Sequence, residues 1–439
     1  MIERWLDAAQ RAGAQQADGW WHRAERTVVS FEWGRLKAAS VGEEAGVNLR
    51  VLSQGRVGVA GSTVLHDGPD DLTARALASA ALGERFGLEF PGPCTPAVVS
   101  TFSAPAAEAS LDHLVGIGRE VVERLARDGC QVNVTVEREV TETEFGNTAG
   151  AAGTYQATAV AVSADVWRIA GDDVLTVADG IDDTGVPDAS ALSALVQSID
   201  ERLRRAEVVV APPEGGLPVV FTPAGLAAVL LPITQALSGK AVLQGVSPLA
   251  GRVGERVFDA AFSVTDDPTR AGRPASRPFD DEGVASRPTP LVEAGTVRGF
   301  IFDLETAARA KATSTGHGHR DIFGKPAPGF TNLVVGRDDG TPDGALGGQL
   351  LGPIVDGLLV DDLIGVGQGN VAGGAFSHPV ALAYRVVRGE IAGRVKDAAV
   401  AGNSYDLLKR IGGIGRDRRW YGRRLTPSLL FDGVSVARR

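Results

Sequence analysis

Three kinds of side-chain grouping in this 439-residue chain could do chemistry. His317, His319 and Asp321 alternate along one segment. If that segment is extended, all three point the same way and form a donor set of the kind that holds zinc. The competing reading is a glycine-rich surface loop, Thr315 to Arg320, with solvated imidazoles, and it is the stronger one. Ser314, in Ala312-Thr313-Ser314-Thr315-Gly316, approaches the turn that exposes a nucleophilic serine, with alanine for the first glycine. That turn must run into a helix, and the Gly-His-Gly-His-Arg and Gly324-Lys325-Pro326 that follow cannot make one. Asp266-Asp267 and Asp280-Asp281-Glu282 could do acid–base work or bind calcium. Asp before Pro268 and Asp-Glu before Gly283 are, however, common turn chemistry, with carboxylates accepting nearby backbone N–H groups.

Two further stretches are weaker. Gly365-Val366-Gly367-Gln368-Gly369-Asn370 lacks the Lys-Ser/Thr ending of a phosphate loop, so it reads as a tight turn. Lys409 to Arg424 holds seven basic residues with Trp420 and Tyr421 among them. This is the one place suited to nucleic acid. With a net charge of −10, the chain repels phosphates overall, and a solvated loop or protein-facing patch fits better. His22, His66, His113 and His378 stand apart from one another in sequence.

These groups need elements to position them. The length implies more than one domain. Apolar periodicity predicts helices over 1–13, 69–82, 111–127 and 189–208, with strands at 27–32, 46–52, 57–60, 132–143 and 154–167. Pro91 to Pro96 and Ala211 to Gly216 are breaks. The expected division is an N-terminal α+β domain (1–90), a middle α+β domain (100–210) and a C-terminal β-rich, barrel-like domain (217–439). The last holds helices at 223–237 and 404–411, a hairpin of 380–387 with 391–400, and a closing strand at 428–436. The fold class expected is therefore α+β. Two cysteines make no disulfide framework, the N-terminus has no signal-peptide pattern, and no apolar run would span a membrane. A cytoplasmic setting is expected, with no membrane partner.

Eight fragments of the C-terminal half occur in a telling order. They are Phe221-Thr222-Pro223, Ser238-Gly239-Lys240, Thr265-Asp266-Asp267-Pro268, Phe279-Asp280-Asp281-Glu282-Gly283, Ser314-Thr315-Gly316, Gly374-Ala375-Phe376-Ser377, Arg388-Gly389-Glu390 and Ala401-Gly402-Asn403. Together they resemble the TldD/TldE (PmbA) metallopeptidase family, and its TldE-like branch in particular. The catalytic branch carries His-Glu-x-x-x-His on the helix near the start of this domain and a cysteine ligand far downstream. Here Leu231 to Ala236 offers no such side chain, Pro232 threatens the helix, and no cysteine follows Cys130.

The resemblance implies a non-catalytic subunit with no cofactor of its own. Zinc would sit in a TldD-like partner that forms a heterodimer with this chain, and short or unfolded peptides would be the substrate. Homodimerisation of the isolated chain is left open. The resemblance also places Ser314, Thr315, Gly316, Gly374, Phe376 and Ser377 nearest the peptide chamber.

Overall fold

The structure, a computed structural model, is described for residues 1–64, 68–336, 347–368 and 370–439. His66 and Gly369 lie outside these residues. The first half is built on one antiparallel sheet of β1 (Gln16–Glu32), β2 (Arg35–Ser53), β3 (Arg56–Ser62), β4 (Cys130–Asn147), β5 (Ala152–Ala170) and β6 (Asp173–Asp183). Its order is β3-β2-β1-β4-β5-β6. Pairing of β1 with β4, from Asp18 opposite Asn147 to Phe31 opposite Val134, joins the segments read as two α+β units into a single sheet.

The helices α1 (Glu3–Arg11), α2 (Pro69–Leu82), α3 (Ala104–Ala107), α4 (Leu111–Leu125) and α5 (Ala189–Arg205) accompany this sheet. In α4, Leu114, Ile117, Val121, Val122 and Leu125 recur at helical spacing and are buried, and Ser110 caps the helix through the His113 N–H. They meet Val132, Val134 and Val136, which alternate along β4, and Leu192, Leu195 and Ile199 of α5. Strands β1 and β2 run well past the expected 27–32 and 46–52. The added part of β2, residues 35–44, is exposed, so it carries no apolar alternation for a sequence reading to detect.

The C-terminal half closes a five-stranded barrel. Strand Gly215–Phe221 lies between Asp356–Leu363 and Leu429–Arg438. Leu429–Arg438 pairs with Ala398–Asn403, which pairs with Ala375–Val387, which returns to Asp356–Leu363. Phe221 packs edge-on against Phe376 and Phe431 inside, at 6.4 and 6.0 Å between ring centres. Leu359, Leu382, Tyr384 and Val386 face outward and join the core of α4 and α5, which fuses the two halves. The Tyr384 hydroxyl donates to the Arg202 carbonyl at 2.9 Å across that seam.

Two local expectations are corrected. Residues 391–400 do not form one return strand. The chain breaks between Glu390–Val395 and Ala398–Asn403, where Asp397 adopts φ 52°. Pro232 does not end its helix either. Helix α6 (Ala227–Ala236) continues through it, because Ala228, Val229, Leu230 and Ile233 are buried in the barrel-side core. That packing outweighs the roughly 3 kcal/mol a mid-helix proline costs. Among the described residues, no helix is long and apolar enough to cross a membrane.

Candidate functional site

Strand Gly215–Phe221 leads through Thr222 directly into α6, so the barrel fixes this helix at one end. Thr222 Oγ1 donates to Asp361 Oδ1 at 2.7 Å, and Asp361 also pairs with Arg202 at 2.8 Å. One face of α6 stays half-open. Ala227, Leu231 and Thr234, at helical spacing, line a groove of about 450 Å³. The facing wall holds Phe330, Val366, Tyr421 and Arg424. Burial raises the Tyr421 phenol and lowers the Arg424 guanidinium from its ordinary range. Nothing on the α6 face is a base, a nucleophile or a metal donor.

Arg423 lines this groove and also a second cavity of about 550 Å³. The second cavity lies between the sheet and the loops at 274–281 and 319–323. Its walls include His22, Tyr155, Arg277 and His319. Burial holds His22 and His319 below the ordinary imidazole range, His319 strongly so, with Arg277 and Arg423 adding to the effect there. His319 is therefore neutral near pH 7.

A fully buried ionic network lies against this cavity. Arg50 and Arg320 both bind Asp18, Arg320 at 2.9 Å, and Arg50 also reaches Glu282 at 2.5 Å. Burial would raise Asp18, but Arg320 and Arg50 overcome it and hold the carboxyl low. Glu282 shares Arg50 with Asp18 and accepts the Leu304 N–H at 2.6 Å, and burial raises it to about 8 despite these partners. Gly61 makes the contact between the halves possible: a Cβ there would fall 1.9 Å from the Ile322 carbonyl oxygen. Asn48 Nδ2 donates to the backbone carbonyls of Asp321, Ile322 and Gly324 at 2.8–3.0 Å and pins the same loop.

The residues singled out in sequence are not gathered at one place. His317 is fully buried, not solvated: its Nε2 lies 3.0 Å from Asp266 Oδ2 and its Nδ1 2.9 Å from Thr315 Oγ1. The surface-loop reading of 315–320 is thus corrected. The buried Asp266 carboxylate, also bonded by Thr331, draws the loop inward. His319 and Asp321 line the second cavity without His317. Among the described residues, no group of three or more His, Cys, Asp or Glu side chains is arranged to hold a metal. Ser314 and Gly316 are buried, and the Ser314 hydroxyl lies 3.3 Å from the Phe302 carbonyl. Thr315 Oγ1 bonds the Phe302 backbone. Phe376 is in the barrel core, Ser377 is exposed on its strand, and Gly374 abuts the Tyr405 ring behind α6. None of these six lines either cavity.

Asp280 does serve as a turn residue, accepting from Glu282 and Val284 N–H at 3.0 and 2.9 Å. The basic stretch 409–424 folds inward in part: Trp420 stacks under Arg273 at 4.1 Å, and Arg419 donates to Ser198. Sequence reasoning missed Arg277 and Tyr155, and a lone arginine before Pro278 gives no local signal.

Comparison with known proteins settles the family. The model of the PmbA/TldA metallopeptidase C-terminal domain matches residues 214–438, and the model of its domain 1 matches residues 21–80. The chain belongs to the PmbA/TldD metallopeptidase family. A metalloprotease of Methanocaldococcus jannaschii is 30% identical over 207 residues, 47% of this chain and 44% of that protein. A PmbA homologue of Haemophilus influenzae is 28% identical over 223 residues, 50% of this chain and 46% of that protein. The matches thus span under half the length of these curated relatives. Crystal structures of TldE from Thermococcus kodakarensis and of a putative modulator of DNA gyrase from Thermotoga maritima share the fold over 99% of each chain. Both have a TM-score of 0.88, at 24% and 23% identity. The resemblance read from the sequence would place the family's zinc motif on α6. Ala227, Leu231 and Thr234 do not fit a divalent cation: two are hydrocarbons, and the third is a neutral hydroxyl already donating to the Leu231 carbonyl at 2.9 Å.

Proposed function

We propose that this chain is the non-catalytic, TldE/PmbA-like subunit of a heteromeric zinc metallopeptidase. It lines half of a chamber that holds short or unfolded peptides, and a TldD-like partner holds the zinc and breaks the bond. The observation that carries this reading is the α6 face, which opens onto a groove yet presents only Ala227, Leu231 and Thr234. The run of cavities past Arg423 supports it, since an extended peptide needs a long, shallow path rather than a closed pocket. Free Cys94 and Cys130 suit a reducing, cytoplasmic compartment.

The test is co-purification with a protein that carries His-Glu-x-x-x-His, followed by zinc analysis and cleavage of an unfolded peptide. The pair is expected to hold zinc and cleave, and this chain alone to do neither. Zinc and cleavage in the isolated chain would overturn the reading. Failure to associate with any such protein would favour a peptide-binding regulator that acts without a peptidase partner.

A further inference from the structure

The groove along α6 carries its positive charge on a fixed turn. Strands Arg419–Tyr421 and Arg424–Thr426 pair through the two residues Gly422 and Arg423, with Tyr421 opposite Arg424. The Leu333 N–H donates to the Arg423 carbonyl at 2.9 Å, and Arg273 Nη2 donates to the Gly422 carbonyl at 3.3 Å. The turn so pinned holds Arg423 and Arg424 at a groove whose other walls include Leu231, Phe330, Val366 and Tyr421. No Asp or Glu lines this groove. Among the described residues, neither arginine makes an ion pair. Burial disfavours the Arg424 cation, and its one ring neighbour is Tyr421, 5.9 Å from Cζ. A guanidinium stays charged at physiological pH, so Arg424 is a partly desolvated cation without a counter-charge. Two carboxylates bear on Tyr421 from outside the groove. Asp362 is pushed toward its neutral form, first by burial, and Asp179 is engaged by Arg202 at 3.0 Å. Arg423 bears on Glu139 in the neighbouring cavity without pairing with it.

We propose that this groove takes a bulky aliphatic residue of an extended peptide, while Arg424 and Arg423 hold the carboxylate of an Asp or Glu two positions away. The proposal rests on the peptide-chamber reading and names the class of peptide this subunit selects. Side chains two apart on an extended chain point the same way, about 7 Å from each other, so one can enter the groove while the other meets its rim. The groove, at about 450 Å³, is within the usual range for ligand sites. Its occupant is argued from charge as well as shape. The chain carries a net charge of −10, so two unpaired arginines over an apolar wall are a local reversal that an acidic, aliphatic segment complements.

Fluorescence anisotropy with the full-length chain compares four labelled, unstructured peptides, blocked at both ends so that no terminal charge contributes. They differ only at a central Asp-Ser-Leu-Ser-Asp, which becomes Asn-Ser-Leu-Ser-Asn, Asp-Ser-Ala-Ser-Asp or Asn-Ser-Ala-Ser-Asn. Leu over Ala is expected to tighten binding about tenfold, and Asp over Asn about fivefold. Arg424→Gln is expected to erase the Asp preference and keep the Leu preference, with circular dichroism reporting its fold. Arg423→Gln, at an exposed position, is expected to reduce the Asp preference without touching the core. Leu231→Ser is expected to reduce the Leu preference and keep the Asp preference. Equal binding of the Leu and Ala peptides, or of the Asp and Asn peptides, would overturn the groove assignment and leave the peptide-chamber reading standing. So would preferences that persist unchanged in the variants, since another surface would then read the peptide. No binding of any of the four would overturn the peptide-chamber reading itself. If Arg424→Gln then weakened association with the His-Glu-x-x-x-His protein, the occupant of the groove would be that partner and not a peptide.

Discussion

The groove along α6 and the cavity beneath the six-stranded sheet share Arg423, yet their chemistry is opposite. The helix face of the groove is hydrocarbon and one satisfied hydroxyl. The cavity borders a fully buried ionic network of Asp18, Arg50, Glu282 and Arg320. The contrast teaches that the apolar and the charged interiors of this chain lie side by side and are set by different elements. The buried polar residues join the two halves, while the open face of α6 is almost wholly apolar.

The sharpest way to break this contrast is Arg50→Ala. It removes the ion-pair partner of Glu282 and leaves Asp18 with Arg320 alone, both carboxylates fully buried, and is expected to cost about 3–5 kcal/mol in urea unfolding. A loss below about 1 kcal/mol would show that the network does not hold the halves together.

Glu282→Gln sharpens the contrast. The folded carboxyl titrates at about 8 instead of 4.5, so its neutral form is favoured by the fold. That contribution is complete below about pH 4.5 and is lost as pH rises through about 8. Relative to the wild type, Glu282→Gln should gain stability steadily across that window, on the order of 4 kcal/mol by pH 8. Unfolding curves at several pH values check this, and a parallel pH dependence in both proteins would remove Glu282 as the titrating group.

The smallest effect is expected at the groove. Leu231 is half-buried, so Leu231→Ser should cost only about 1 kcal/mol in thermal unfolding. A loss above about 3 kcal/mol would place Leu231 in the core and close the groove.

Local pattern carried far in this chain. The 111–127 helix, its apolar face and the turn role of Asp280 could all be read from neighbours in sequence. What could not be read depends on long-range contacts. Glu282 lies in a turn by its neighbours, but its charge partner Arg50 is 232 residues away. His317 looked solvated among glycines because nothing local shows that Asp266 and Thr331 enclose it. Arg277 has no motif at all, and it is buried beside Asp281 only because the sheet and the loop close around it.

The sequence by itself determined the family's order of segments, the α+β class and the want of metal donors on α6, because motif order, apolar period and residue type are properties of the chain alone. The tertiary structure alone decided that the barrel closes, that Asp18 takes both Arg50 and Arg320 while Glu282 is left with a share of one, and that Arg277 is buried beside Asp281. Those outcomes depend on which distant groups desolvate one another, and burial sets the strength of a charge only once the chain has folded.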